Sequence, residues 1–218
     1  MKSLWVLLGL VSITLARVAV INQEKSAPKP CCFPKIMQVN YVGAKFYETA
    51  NPFLYQQIGT YALKYDEKTV AVQVLDGRTR QPLFREVVDF NQKVLYNISA
   101  DGSCVKSPYN DPMPARCIPG SAVLDTIYTM GIGDNSIKGY LWSVQYPEAN
   151  IEFALGVTGS CLPIQLQENA KTANGKTHKA VSFVHAELEV DKDLFTIPDT
   201  CTTSNEEATL NILAYMLL

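Results

Sequence analysis

The chain has 218 residues, with 19 Lys and Arg against 21 Asp and Glu, a net charge of -2 and an isoelectric point near 5.7. That balance gives no basic stripe for nucleic acid or an anionic membrane surface. The length, with 47% hydrophobic residues, suits a single domain with a sizeable core.

Residues 1–16 read as a signal peptide. Lys2 supplies the positive start, Leu4 to Ile13 the apolar run, and Thr14, Leu15 and Ala16 a small-residue exit. The run is too short to span a bilayer, and no later stretch reaches the length of a membrane helix. The mature protein is therefore expected to be secreted and extracellular, with no transmembrane segment. Residues 17–30 are polar, contain Pro28 and Pro30, and read as a leader or linker.

The main domain, residues 31–203, reads as mostly β. Val70, Val72 and Val74 alternate with Ala71 and Gln73, and Asp76 with Gly77 signals a hairpin into residues 82–90. Asn91 and Gln92 turn the chain into residues 93–99, where Val94, Tyr96 and Ile98 share one face, and Asp101 with Gly102 closes that strand. Residues 59–104 thus read as an antiparallel meander. A loop follows with Pro108, Pro112, Pro114 and Pro119, bracketed by Cys104 and Cys117. Alternation resumes over residues 137–146 and again through Ile151, Phe153, Leu155 and Val157. Residues 168–179 read as a polar connector and Ala180 to Val190 as a further long strand. In the tail, residues 204–218, Ser204 and Glu207 form a capping box ahead of Ala208, Leu210, Ile212 and Leu213, which predicts a short C-terminal helix.

Six cysteines, Cys31, Cys32, Cys104, Cys117, Cys161 and Cys201, read as a disulfide framework in a secreted chain, with 15 possible pairings. Cys31 and Cys32 are adjacent and are expected to reach different partners. Zinc is excluded by spacing, because no close pair such as C-x-x-C occurs. Nothing in the sequence assembles catalytic machinery. There is no G-x-S-x-G elbow, the cysteines are committed, and His178 and His185 lie in a polar loop and mid-strand. The chain is therefore read as a protein that is not an enzyme. Calcium is the one candidate cofactor, since Glu189, Asp191 and Asp193 stand two residues apart and share a face if extended. Asn97, Ile98 and Ser99 form a glycosylation acceptor with Asn97 opposite the apolar face of Val94, Tyr96 and Ile98.

A series of local motifs then suggests a family. It runs through Cys31, Cys32, Phe33 and Pro34, then Leu63 to Asp66 before a valine-alternating strand, then Val94 to Ile98 ahead of Cys104. It continues through Cys117 to Ala122, an aromatic strand around Trp142, and Val157 to Pro163. In order and spacing the chain resembles the ependymin-related proteins, of the invertebrate type, from Cys31 to Cys201.

The resemblance implies a secreted glycoprotein with curved antiparallel sheets around an apolar pocket, similar to bacterial lipoprotein-carrier folds. It further implies binding of a lipid or other hydrophobic small molecule, calcium and homodimers. For the cysteines it implies Cys104 with Cys201, and Cys31 and Cys32 with Cys161 and Cys117. On such a sheet one apolar face is both core and ligand lining. The candidates are Val72, Val74, Tyr96, Tyr140, Trp142, Phe153, Leu155 and Phe183. Two functions are weighed: a secreted carrier of a hydrophobic ligand, and an extracellular-matrix or cell-adhesion protein that works through its outer surfaces with no small-molecule ligand.

Overall fold

A computed structural model describes residues 28–147, 150–172 and 175–208. The expected signal peptide, most of the leader and the tail from residue 209 lie outside the described residues.

Twelve strands form one sheet, in the order β12-β6-β5-β4-β3-β2-β1-β11-β10-β9-β8-β7. In chain order they are β1 (Ile36–Glu48), β2 (Phe53–Lys64), β3 (Thr69–Leu75), β4 (Pro82–Asp89), β5 (Val94–Ser99) and β6 (Cys104–Pro108). The second half adds β7 (Val123–Met130), β8 (Ile137–Tyr146), β9 (Ile151–Thr158), β10 (Pro163–Thr172), β11 (Gly175–Glu187) and the short β12 (Thr202–Thr203). All pairs are antiparallel except β12 with β6. Two meanders, β1–β6 and β7–β11, are therefore joined through the β1–β11 pair into an open, curved sheet.

The register separates two faces. Met37, Val39 and Tyr41 of β1 stand beside Leu63, Tyr61 and Gly59 of β2, which stand beside Val70, Val72 and Val74 of β3. In the other direction Gly43 leads to Val181 of β11, Leu166 of β10, Leu155 of β9 and Trp142 of β8. This is the inner face, and its buried residues form one cluster from β3 to β8 that also takes in Phe33 and Ile118. The outer face of β2–β6 has a cover of its own. Residues 190–201 lie across Ala62, Ala71, Val87 and Ile98, with Leu194 of the 3-10 turn Lys192–Phe195 buried against them.

The proline-rich loop between β6 and β7 has to travel from one half of the sheet to the other, and it crosses the inner face. Its passage is fixed by backbone bonds from Phe33 N to Arg116 O (2.8 Å) and from Ile118 N to Cys31 O (2.9 Å), and by the Cys32–Cys117 disulfide. Cys31 bonds to Cys161 at the β9–β10 turn, and Cys104 to Cys201 at the end of the outer cover. Each crossing segment is thus held covalently to the sheet.

Several local expectations are revised. Of the stretch 168–179, read as a polar connector, residues 168–172 belong to β10 and residues 175–179 to β11, which begins at Gly175 and ends at Glu187. The Asp76–Gly77 signal does mark a hairpin, but the turn runs from Asp76 to Gln81. The Asp76 carboxylate accepts bonds from the Arg78 and Thr79 amides at 2.9 and 2.7 Å, an Asx-type turn that replaces the two-residue type. Residues 204–208 are not helical. Ser204 Oγ accepts from Glu206 N and Glu207 accepts from Asn110 Nδ2, while Ala208 N donates to Pro108 O beside β6.

Candidate ligand-binding face

Seven of the eight sequence candidates share the inner face. Val72 and Val74 stand on β3, Tyr140 and Trp142 on β8, Phe153 and Leu155 on β9, and Phe183 on β11. Tyr96 does not join them. It pairs with Val87 on the outer face and packs under the cover with Val190, Phe195 and Ile197. Alternation showed which residues of β5 share a face but not which face that was. Inner-face residues that the sequence reading missed include Tyr41, Tyr61 and Val181, on strands whose two faces are both partly apolar.

Burial divides this face into two parts. On β1–β3, where the crossing loop and the Phe33 segment lie, Val39, Tyr41, Val72 and Val74 are at most 2% exposed. On β8–β11 the face is less covered. Trp142, Val157 and Leu166 are buried, while Tyr140, Val144, Phe153, Leu155 and Phe183 are half-buried. Two surface grooves of about 390 and 370 Å³ lie away from the candidates. One is at the β8–β9 turn, near Tyr146 and His178, and the other involves Val42, Ile58 and Ala180.

Charge is placed on the inner face with unusual economy. Lys179 on β11 is 6% exposed and donates to Glu168 on β10 at 2.8 Å. Burial holds its ammonium below the ordinary lysine range, Glu168 pulls it partly back, and neighbouring Lys45 lowers it further. Further along, Glu86 is buried, and the half-buried Asn97 amide points to it at 3.5 Å. Asn97 does lie opposite Val94, Tyr96 and Ile98, but the side opposite them is the inner face. Tyr41 is buried over Gly59, and burial pushes its phenol well above the usual tyrosine range.

Of the three carboxylates read as calcium candidates, Asp191 is already engaged. Asp191 accepts from Asp193 N at 3.0 Å as the cap of the 3-10 turn. The Arg85 guanidinium donates to the carbonyls of Asp193 and, at 2.6 Å, Thr196. A cation at Glu189, Asp191 and Asp193 would meet that fixed positive charge, and among the described residues no three acidic, histidine or cysteine groups converge on a metal-sized point. His178 lies at the surface between Asn169 Oδ1 (2.9 Å) and Glu48 Oε2 (3.4 Å), and His185 faces Glu187 at 3.0 Å.

A family model described as Ependymin matches residues 78–201, more than half of the chain, from the β3–β4 turn to the last cysteine. The chain belongs to the ependymin family. Its ependymin match takes in Cys104, Cys117, Cys161 and Cys201, while Cys31 and Cys32 precede it. The chain is also 25% identical to mammalian ependymin-related protein 1 of Rattus norvegicus over 94% of its own length and 91% of that protein's. Among solved structures it shares its fold with an uncharacterized conserved protein from Thermus thermophilus, at a TM-score of 0.50 and 11% identity, covering 79% of this chain and 91% of the other. A LolA superfamily protein from Nitrosomonas europaea aligns at a TM-score of 0.39 and 12% identity, over 76% of this chain and 92% of its own. For this ependymin, then, family and fold are fixed, and the described residues contain no helix long and apolar enough to cross a membrane.

Proposed function

We propose that this ependymin-family protein acts outside the cell by binding a hydrophobic small molecule, a lipid or fatty acid, on the inner face of its curved sheet. The observation that carries the reading is the unequal cover of one continuous apolar face. Tyr140, Phe153, Leu155 and Phe183 stay half-open next to the sealed part of β1–β3 around Val39, Tyr41, Val72 and Val74. An acyl chain laid along those side chains would gain about 0.8 kcal/mol for each methylene it buries. Export by the 1–16 leader belongs to this reading, and three disulfides fit an oxidising compartment.

Native mass spectrometry of the protein secreted from eukaryotic cells, followed by organic extraction, tests it. A co-purifying lipid of defined mass is expected. A ligand-free mass that stays unchanged after challenge with fatty acids and phospholipids would overturn the reading. Spectra taken with and without calcium also report whether calcium or a homodimer belongs to the loaded state. The Arg85 contacts supply no reason to expect calcium at Glu189, Asp191 and Asp193.

A second reading, an extracellular interaction protein, is favoured by a separate observation. Val42, Phe46 and Leu54 leave an uncovered apolar strip on the outer face of β1–β2, and each is at least 39% exposed. Matrix adhesion or a homodimer through that strip would need no small-molecule ligand. A dimer that persists without lipid and is lost on Val42→Lys would support it.

A further inference from the structure

One row of the inner face carries more positive charge than it can neutralise. Across the sheet from β2 to β9 the register aligns Tyr55, Lys45, Lys179, Glu168 and Phe153. Lys45 and Lys179 are therefore direct cross-strand neighbours, an arrangement that like charges disfavour. A single carboxylate, Glu168, serves the row, and its oxygen is committed to Lys179 at 2.8 Å. Lys45 forms no ion pair among the described residues. Its Nζ lies 5.0 Å from the Tyr47 ring centroid, and its side chain is half-buried. Tyr47 in turn stacks on Phe53 with centroids 4.2 Å apart. A half-buried lysine with its ammonium beside an aromatic ring and a second lysine opposite lacks one anion.

We propose that Lys45 receives the anionic head of an amphiphile whose apolar chain lies along Phe153, Leu155 and Phe183. This rests on the inner-face reading above and adds the chemical class of the ligand. Geometry supports the division of labour. Lys45 is accessible from solvent, Lys179 is not, and the half-open apolar residues begin at Phe153, two strands from Lys179 in the same row. A head held there brings its charge to the row without entering the buried cluster of Val39, Tyr41, Val72 and Val74. A carboxylate and a phosphate monoester are both anionic oxygen heads that a lysine can bind as a point charge.

The test uses the full chain, freed of co-purifying lipid, and three ligands with the same twelve-carbon chain: dodecanoate, dodecyl phosphate and dodecanol. Affinities are read by displacement of neutral Nile red. At least one anionic ligand is expected to bind about tenfold tighter than the alcohol, as a hydrogen bond to a charged group would give. Which anion leads tells a carboxylate ligand from a phosphate one. In Lys45→Gln the ratio of anion to alcohol should fall to about one, and in Lys45→Arg it should survive. Added salt should weaken the anions and spare the alcohol in the unaltered protein, a readout independent of how any variant folds. Equal binding of all three ligands by the unaltered protein would overturn this proposal and leave the inner-face reading standing. An unchanged ratio in Lys45→Gln would do the same. Failure of all three ligands, and of Nile red, to bind would overturn both.

Discussion

At the scale of single residues, Gly59 is a position where the backbone of one strand has to accept a side chain from the next. A Cβ there would lie 2.1 Å from the Gln73 carbonyl oxygen and 2.9 Å from Tyr41 Oη. Gly59→Ala is therefore expected to cost about 1–3 kcal/mol in urea unfolding, the usual range for overpacking a core. Gly77→Ala, with nothing within 4 Å, should be close to neutral in the same experiment. The Lys179–Glu168 pair makes a second prediction. Glu168→Gln leaves a buried ammonium without its counterion and should cost about 3–5 kcal/mol, whereas the double change Lys179→Met, Glu168→Leu should restore most of that stability.

The pair also has a pH signature. Because burial lowers the folded-state affinity of Lys179 for its proton, the unfolded chain holds that proton to higher pH. The destabilising contribution is therefore present at neutral pH. It is relieved as pH rises through the lowered folded value, and the relief is complete above the ordinary lysine value of 10.5. Relative to the double variant, the unaltered protein should gain stability across that alkaline window. A flat difference curve would place Lys179 outside the buried row.

At the scale of elements, the outer cover is attached by the Cys104–Cys201 disulfide, by the Arg85 guanidinium on the Asp193 and Thr196 carbonyls and by Asp191 N donating to Gln38 Oε1 at 2.9 Å. Arg85→Ala should loosen residues 190–197. This is best seen as faster amide exchange and proteolysis there, with a cost of about 1–3 kcal/mol for the lost charged hydrogen bonds. Exchange unchanged from the parent would show that Leu194, the disulfide and the Asp191–Gln38 bond hold the cover without Arg85. Strand legibility follows the same physical lines. β3, β5, β8 and β9 were readable because each keeps an alternation along much of its length, and β4 as the partner run across the Asp76–Gly77 hairpin. β1 and the first half of β2, before Gly59, were not, since their outer positions Val42, Phe46 and Leu54 are as apolar as their inner ones. The Asp125 bulge breaks the alternation of β7. Glu168 and Lys179 made the β10–β11 hairpin look like a solvated loop, although they neutralise one another within the sheet. The same limit applies to the binding face. Seven of the candidates, chosen from the period-two strands and the pocket that the resemblance implies, share one face, and Tyr96 falls on the other because pairing partners, which decide the face, are not local information.

At the scale of the whole molecule, two disulfides tie the N-terminal segment to distant parts of the second half. Cys31–Cys161 spans a sequence separation of 130 and Cys32–Cys117 one of 85. The chain-entropy model values such closures at roughly 4–5 kcal/mol each. Removing Cys31 and Cys161 together should lower the melting temperature and expose the inner face to an apolar dye before the sheet melts. Coincident melting by dye and by circular dichroism would show instead that the strand ladder alone keeps that face closed.

The position of β1 in the middle of the sheet has a consequence for biosynthesis. Among the described strands β1 is the first to leave the ribosome, yet one of its two edges is completed only by β11, the last long one. At typical translation rates that edge stands open for on the order of ten seconds. During the same interval Cys32 waits for Cys117, Cys31 for Cys161, and Cys104 for Cys201, so the order of emergence orders the oxidations. An open strand edge beside two adjacent free thiols is a natural client for a thiol oxidoreductase that also shields nascent chains.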